Sequence, residues 1–180
     1  MIEVIYPENN DLRFRSFSST ILHSGNKIWI DAVNPNKEEL KLLQDNFEID
    51  SLVIDNLNIL RKRPVLKVMN NCVFLIAYGL SYSEGKLKHY DISFVLGKRF
   101  LITIHKEPIN SFQQLKKESL RVTRAISGGV SHLLHTLLDV EVDIYIGEIE
   151  KLFQELNKIE DVIIKNPKEP VVSNVTADYV

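Results

Sequence analysis

The chain has 180 residues, 44% hydrophobic and 26% charged, with a net charge of −2. That is about one domain's worth of chain with an ordinary core, and the near-neutral charge excludes a general nucleic-acid binder. A single cysteine, Cys72, excludes an intramolecular disulfide and a Cys-rich zinc site and suits a reducing, intracellular compartment.

The N-terminus, Met1-Ile2-Glu3-Val4-Ile5, lacks the basic and long apolar regions of a signal peptide. Short strands are predicted over Ile2–Tyr6, Leu12–Phe17 and Lys27–Val33. The third alternates, with Ile28 and Ile30 on one face and Trp29 and Asp31 on the other. Asn34-Pro35 stops it, and Asn36 with Glu39 resembles a capping box ahead of Leu40, Leu43 and Phe47 at helical spacing. A second short helix is expected around Ser51–Leu60, ended by Pro64.

Strands follow over Val65–Met69, Cys72–Tyr82, Lys86–Leu96 and Arg99–His105. The apolar stretch Cys72–Leu80, interrupted by Gly79, falls short of the roughly 18 apolar residues of a membrane helix. Ser83-Glu84-Gly85 reads as a hairpin loop, and Gly97-Lys98 as a two-residue primed turn, so these strands should pair antiparallel. Ile92–Leu96 and Phe100–Ile104 are apolar at nearly every residue, the pattern of strands covered by helices on both faces.

The last third reads as helical. One helix should start at Asn110 or Ser111, carry Phe112, Leu115, Val122 and Ile126, and break at Gly128-Gly129. A long helix then runs from about Val130 to Lys165. Its apolar positions Leu138, Val142, Tyr145, Ile149, Leu152, Leu156, Ile159 and Ile163 form a heptad seam. At roughly 50 Å it must project beyond a globule of this size, and its seam needs a partner helix from later chain or another subunit. Residues 131–165 carry eight acidic side chains against three lysines, a net of −5 that attracts cations or a basic partner.

Four stretches together resemble the CorA family of magnesium and divalent-cation transporters. They are Trp29-Ile30-Asp31-Ala32-Val33-Asn34-Pro35 with Glu38-Glu39-Leu40; Asp55-Asn56-Leu57-Asn58 with Lys62-Arg63-Pro64; Ile92 to Pro108 around Gly97-Lys98-Arg99-Phe100; and Leu133 to Asp143 around Leu137-Leu138-Asp139. They span roughly residues 28 to 165 in order. The resemblance implies an α/β/α sandwich, long helices and two membrane helices in a homopentameric channel at the cell membrane. The family's pore-mouth Gly-Met-Asn motif and membrane helices do not occur in these residues. The resemblance therefore implies the cytoplasmic regulatory part, in which Mg²⁺ between adjacent subunits holds the channel closed.

Residues and resemblance together give an α/β (α+β) fold: an α/β/α sandwich on a mixed, largely antiparallel sheet, followed by a long projecting C-terminal helix. The expected division is 1–127 for the sandwich, 130–165 for the acidic helix, and 166–180 for a linker or the start of a next helix. Membrane contact would come only through helices beyond this chain. Self-association, pentameric in the full-length protein with a monomer as the alternative for the isolated domain, and divalent cations are the expected partners.

The resemblance carries metal contacts onto Asp55 and Asn56, where the family has an acidic pair, and onto Asp139, with Asp143 one turn further on. Asn56 offers a carbonyl oxygen but no charge. Lys62 and Val65 also depart from the family's Gln and Lys. Each carboxylate has a plain alternative as a solvated side chain or local hydrogen-bond acceptor. His132, His135 and Asp139, spaced by three and four, share one helix face and suit Co²⁺, Ni²⁺ or Zn²⁺ better than Mg²⁺. A zinc-transporting relative and a free-standing metal-binding module are the alternatives. A hydrolase reading would use His105 near Glu107 or His89 near Asp91, but no nucleophile elbow or phosphate loop accompanies them. The cluster Arg61, Lys62, Arg63 and Lys67 is too small for a nucleic-acid footprint.

Overall fold

The computed structural model describes residues 1–9, 11–17, 26–57, 63–83 and 86–165. The segment 166–180, Glu84-Gly85 of the expected hairpin loop, and Asn58, Arg61 and Lys62 lie outside the described residues. Seven strands, β1 (Ile2–Glu8), β2 (Asp11–Ser16), β3 (Ile28–Val33), β4 (Val65–Val68), β5 (Val73–Ser83), β6 (Lys86–Leu96) and β7 (Phe100–His105), form one sheet. Its order is β2-β1-β3-β7-β6-β5-β4. Only the central β3–β7 pair is parallel, with Ile30 opposite Ile102; the other neighbours are antiparallel. The sheet is mixed and largely antiparallel, as expected.

Helix α1 (Lys37–Phe47) follows β3. Asn34 takes φ 44°, the left-handed turn that Asn tolerates, and the strand stops there. The capping box forms in both directions: Asn36 Oδ1 accepts from Glu39 N–H at 2.8 Å, and Glu39 Oε2 accepts from Asn36 N–H at 3.0 Å. Asp50 Oδ1 then accepts from Leu52 N–H at the start of α2 (Ser51–Leu57). After β7 come α3 (Asn110–Lys117), α4 (Ser119–Gly128) and α5 (Val130–Lys165).

The pleat divides the core in two. Ile28, Ile30, Ala32, Ile102 and Ile104 pack with Leu40, Leu43 and Val53 of α1 and α2. Trp29, Leu101 and Phe94 pack with Phe112 and Leu115 of α3, Val122 and Ile126 of α4, and Leu133 and Leu137 of α5. Helices therefore cover both faces, which is why the central strands read as continuously apolar.

Two expectations need correction. The helix predicted through Phe112 and Ile126 is two helices, separated at Glu118, whose ψ of 63° leaves the helical region. The break lets α3 and α4 each bury its own apolar stripe. The primed turn expected at Gly97-Lys98 is displaced by one residue. Gly97 N–H donates to Phe100 O, so the loop is Lys98-Arg99, and neither residue has a positive φ. Gly97 supplies room instead: a Cβ there would lie 2.2 Å from the Phe100 ring.

Candidate metal-binding faces

The sequence-predicted residues fall on two layers. Asp55 and Asn56 occupy the last turn of α2, Asp55 exposed and Asn56 half-buried. The Asn56 amide NH₂ donates to the Leu52 carbonyl, leaving its amide oxygen as the atom a cation could use. His132, His135, Asp139 and Asp143 are all exposed on α5. Because α2 and α5 pack on opposite faces of the sheet, one chain does not bring Asp55 and Asp139 together.

Gly129 makes the α5 groove possible. Its φ of 132° is open to glycine and ends α4, and its N–H closes onto the Ala125 and Ile126 carbonyls. The chain turns, and α5 packs back along α4. Between them and the end of α3 lies a groove of about 750 Å³, lined by residues that include Arg121, Arg124, His132, His135 and Asp139. The structure thus brings His132, His135 and Asp139 to one groove, as their spacing predicts; Asp143 does not line it.

The groove is not simply acidic. Lys117, Arg121 and Arg124 line it together with Glu118 and Asp139. Arg121 Nη2 stands 3.9 Å from Asp139 Oδ2, while Nη1 stands 3.4 Å from Glu118 Oε2. Among the described residues no three His, Cys, Asp or Glu side chains converge to cage an ion. With three basic side chains to two acidic ones, both facing Arg121, the lining of this groove does not by itself fit a divalent cation.

Two polar clusters escaped sequence reasoning, and both are interior. Asp31, 1% exposed, accepts from Thr103 Oγ1 at 2.5 Å and Lys116 Nζ at 2.7 Å, with His105 Nε2 at 2.8 Å. Lys116 also donates to Glu3 Oε2, and Trp29 Nε1 donates to Thr103 Oγ1. Burial alone would raise the Asp31 carboxyl, but the hydrogen bond to His105 and the Lys116 charge outweigh it and hold it below the usual range. Burial likewise opposes the Lys116 charge, and Asp31 and Glu3 overcome it and raise its pKa. His105 is sealed in this core, its Nδ1 bonded to the Glu107 carbonyl, out of reach of a substrate. His89 is exposed on β6, its ring 5.3 Å from that of Tyr78.

The second cluster anchors α5. Glu141, 3% exposed, accepts from Tyr90 Oη at 2.8 Å and from the Ser111 hydroxyl. Burial and the Glu141 charge together push the Tyr90 phenol well up. The hint that sequence could offer was Gly79 on β5: a Cβ there would meet the Tyr90 ring at 2.1 Å and Glu141 Oε2 at 2.6 Å.

Among the described residues no helix is long and apolar enough to cross a membrane. The family of CorA-like Mg²⁺ transporter proteins matches residues 24–177. The cobalt/magnesium transport protein CorA of Thermotoga maritima is 23% identical over 171 residues, 88% of this chain and 48% of its own length. The magnesium transport protein CorA of Blochmanniella floridana is 24% identical over 170 residues, 89% and 51% respectively. The chain thus spans about half the length of these relatives. The soluble domain of CorA from Methanocaldococcus jannaschii shares the fold with a TM-score of 0.74 at 18% identity, over 98% of this chain and 69% of that one. The ZntB cytoplasmic domain from Vibrio parahaemolyticus gives 0.61 at 17% identity, over 85% and 63%.

Proposed function

The chain belongs to the CorA-like Mg²⁺ transporter family, and from that premise we propose that it is the cytoplasmic, divalent-cation-sensing domain of a CorA-type transport protein. It is a regulatory part rather than an enzyme, and the pore belongs to chain beyond it. Mg²⁺ is the first ligand, with Co²⁺ next. Asp55, Asn56, Asp139 and Asp143 are the contacts.

One observation carries the reading. Asp55 of α2 and Asp139 and Asp143 of α5 are exposed on opposite layers of a single chain. A shared ion therefore joins Asp55 and Asn56 of one subunit to Asp139 and Asp143 of another. Without metal these carboxylates repel one another across the boundary; a divalent cation neutralises them and favours one packed assembly, pentameric in the complete protein. A second reading, a site for Co²⁺, Ni²⁺ or Zn²⁺, is favoured by His132 and His135 lining the same groove as Asp139.

The test is thermal unfolding of this chain with and without MgCl₂ and CoCl₂ at constant ionic strength. Saturating Mg²⁺ is expected to raise the melting temperature, corresponding to about 2.7 kcal/mol at a hundred times Kd. Asp139→Asn should remove most of that rise. An unchanged response in Asp139→Asn sinks the assignment. A Co²⁺ response that survives replacing His132 and His135 by Ala removes the second reading.

A further inference from the structure

The chain carries a net charge of −2, yet the α4–α5 groove is lined by an excess of cations. We propose that this groove binds a phosphate-bearing small molecule, with the phosphoryl group held by Lys117, Arg121 and Arg124. The site stands whether or not Asp139 contacts a metal.

The charge balance comes first. Lys117, Arg121 and Arg124 line the groove together with Glu118 and Asp139. Both carboxylates face the same guanidinium: Arg121 Nη1 is 3.4 Å from Glu118 Oε2, and Nη2 is 3.9 Å from Asp139 Oδ2. Lys117 and Arg124 are left over. Among the described residues, neither side chain makes an ion pair or a hydrogen bond. The carboxylates are thus matched within the protein, and two cations remain for a ligand.

The donors are also arranged to converge. Arg121 and Arg124, three residues apart, share one face of α4. Lys117 closes one end from the last turn of α3. His132 and His135 line the groove from α5, and even a neutral imidazole has one N–H to donate. A Cβ on Gly128 would lie 2.6 Å from His132 Nδ1, so glycine leaves room for that ring beside the end of α4. These groups surround about 750 Å³, within the range of small-molecule sites. A carboxylate is flat and offers two oxygens. A phosphoryl group offers three terminal oxygens and about 1.5–2 negative charges. It can therefore accept from the guanidinium forks and from the facing wall together. The Arg121–Asp139 pair is half-exposed, so drawing Arg121 onto the ligand costs little.

The experiment is an amide NMR titration of this chain in EDTA, with sodium phosphate and separately AMP, against sodium chloride at matched ionic strength. The proteins are wild type, Arg124→Gln, Arg124→Lys, Lys117→Gln, Asp139→Asn and Lys98→Gln, whose side chain lies outside the groove. Phosphate is expected to give saturable shifts on the residues of α4 and the start of α5. Arg124→Gln and Lys117→Gln should each weaken binding about three- to tenfold, the loss of one charge-assisted contact at an exposed site. Arg124→Lys should fall between wild type and Arg124→Gln, because it keeps the charge and loses the fork. Asp139→Asn should tighten binding by freeing Arg121, a gain that a merely structural role for these residues would not produce. AMP tighter than phosphate assigns the site to a larger phosphorylated ligand, and equal affinity assigns it to the phosphoryl group alone; both support the proposal. Shifts no different from those in chloride overturn it. So does Lys98→Gln weakening phosphate as much as Arg124→Gln, since that is the behaviour of unspecific screening. EDTA removes divalent ions, so failure of the metal reading leaves this result untouched.

Discussion

Three donors converge on the Asp31 carboxylate, from Thr103, His105 and Lys116, and the nearest of them in sequence is 72 residues away. Spacing within a segment carries no trace of such a cluster, and alternation in β3 predicted only that Asp31 shares a face with Trp29. That face proved to be interior, so the carboxylate had to be paired. Asp31→Asn leaves Lys116 buried with only the half-buried Glu3, and removal of one partner of a buried pair costs about 3–5 kcal/mol. The pH dependence follows from the two displaced groups. The Asp31 carboxyl is lowered in the fold, so its contribution is complete above the unfolded value of about 3.9 and is lost as pH falls through the folded one. Lys116 is raised, so its contribution is complete below about 10.4 and is lost as pH rises through the folded value. Urea melts across the pH range should show a plateau between these limits, and Asp31→Asn should flatten the acid limb. An acid limb of unchanged steepness in the variant would assign it to other carboxylates.

Helix α5 has two halves with different environments. Val130, Leu133, Leu137 and Glu141 are buried on the sandwich, whereas Val142, Ile146, Ile149, Phe153, Leu156 and Ile163 are exposed, Phe153 at 61%. Its 36 residues make about 54 Å of helix, so the distal half extends past the last anchor at Glu141. This element was the most legible in sequence, because heptad spacing and the Gly128-Gly129 break are local signals; the strands and the α1 capping box were legible for the same reason. The interruption at Glu118 and the shift of the β6–β7 turn were not, since the first follows from packing two helices on one sheet and the second from the room Phe100 needs. The candidate site divides in the same way. The common face of His132, His135 and Asp139 follows from spacing, while Arg121 opposite them comes from helix pairing. An exposed apolar seam at heptad spacing predicts association between copies. Replacing Ile149, Leu156 and Ile163 together by Gln should abolish concentration-dependent association in sedimentation velocity. The melting temperature at low concentration should stay nearly unchanged, as surface changes usually fall within about 0.5 kcal/mol. A wild type that remains monomeric at every concentration would leave the seam to chain beyond this one.

At the scale of the whole molecule, the sheet itself is the separator. With α1 and α2 on one face and α3 to α5 on the other, the two sets of candidate ligands point away from each other. A contact that joins one face of a subunit to the opposite face of the next is heterologous, and repeated with the right rotation it closes a ring. That geometry makes a prediction no single-chain site shares. Asp55→Asn and Asp139→Asn should each remove most of the Mg²⁺-dependent rise in melting temperature and assembly size. In an equal mixture, a boundary with Asp55 from one variant and Asp139 from the other is intact, and random assembly restores about a quarter of the boundaries. The mixture should therefore recover a fraction of the metal response that neither variant has alone. A site built within one chain is damaged in every copy of both variants, so mixing would restore nothing. Size-exclusion chromatography of the two variants, separate and mixed, with and without MgCl₂, decides between them. Recovery also requires exchange of subunits, so the mixture should be made before metal is added and left to equilibrate.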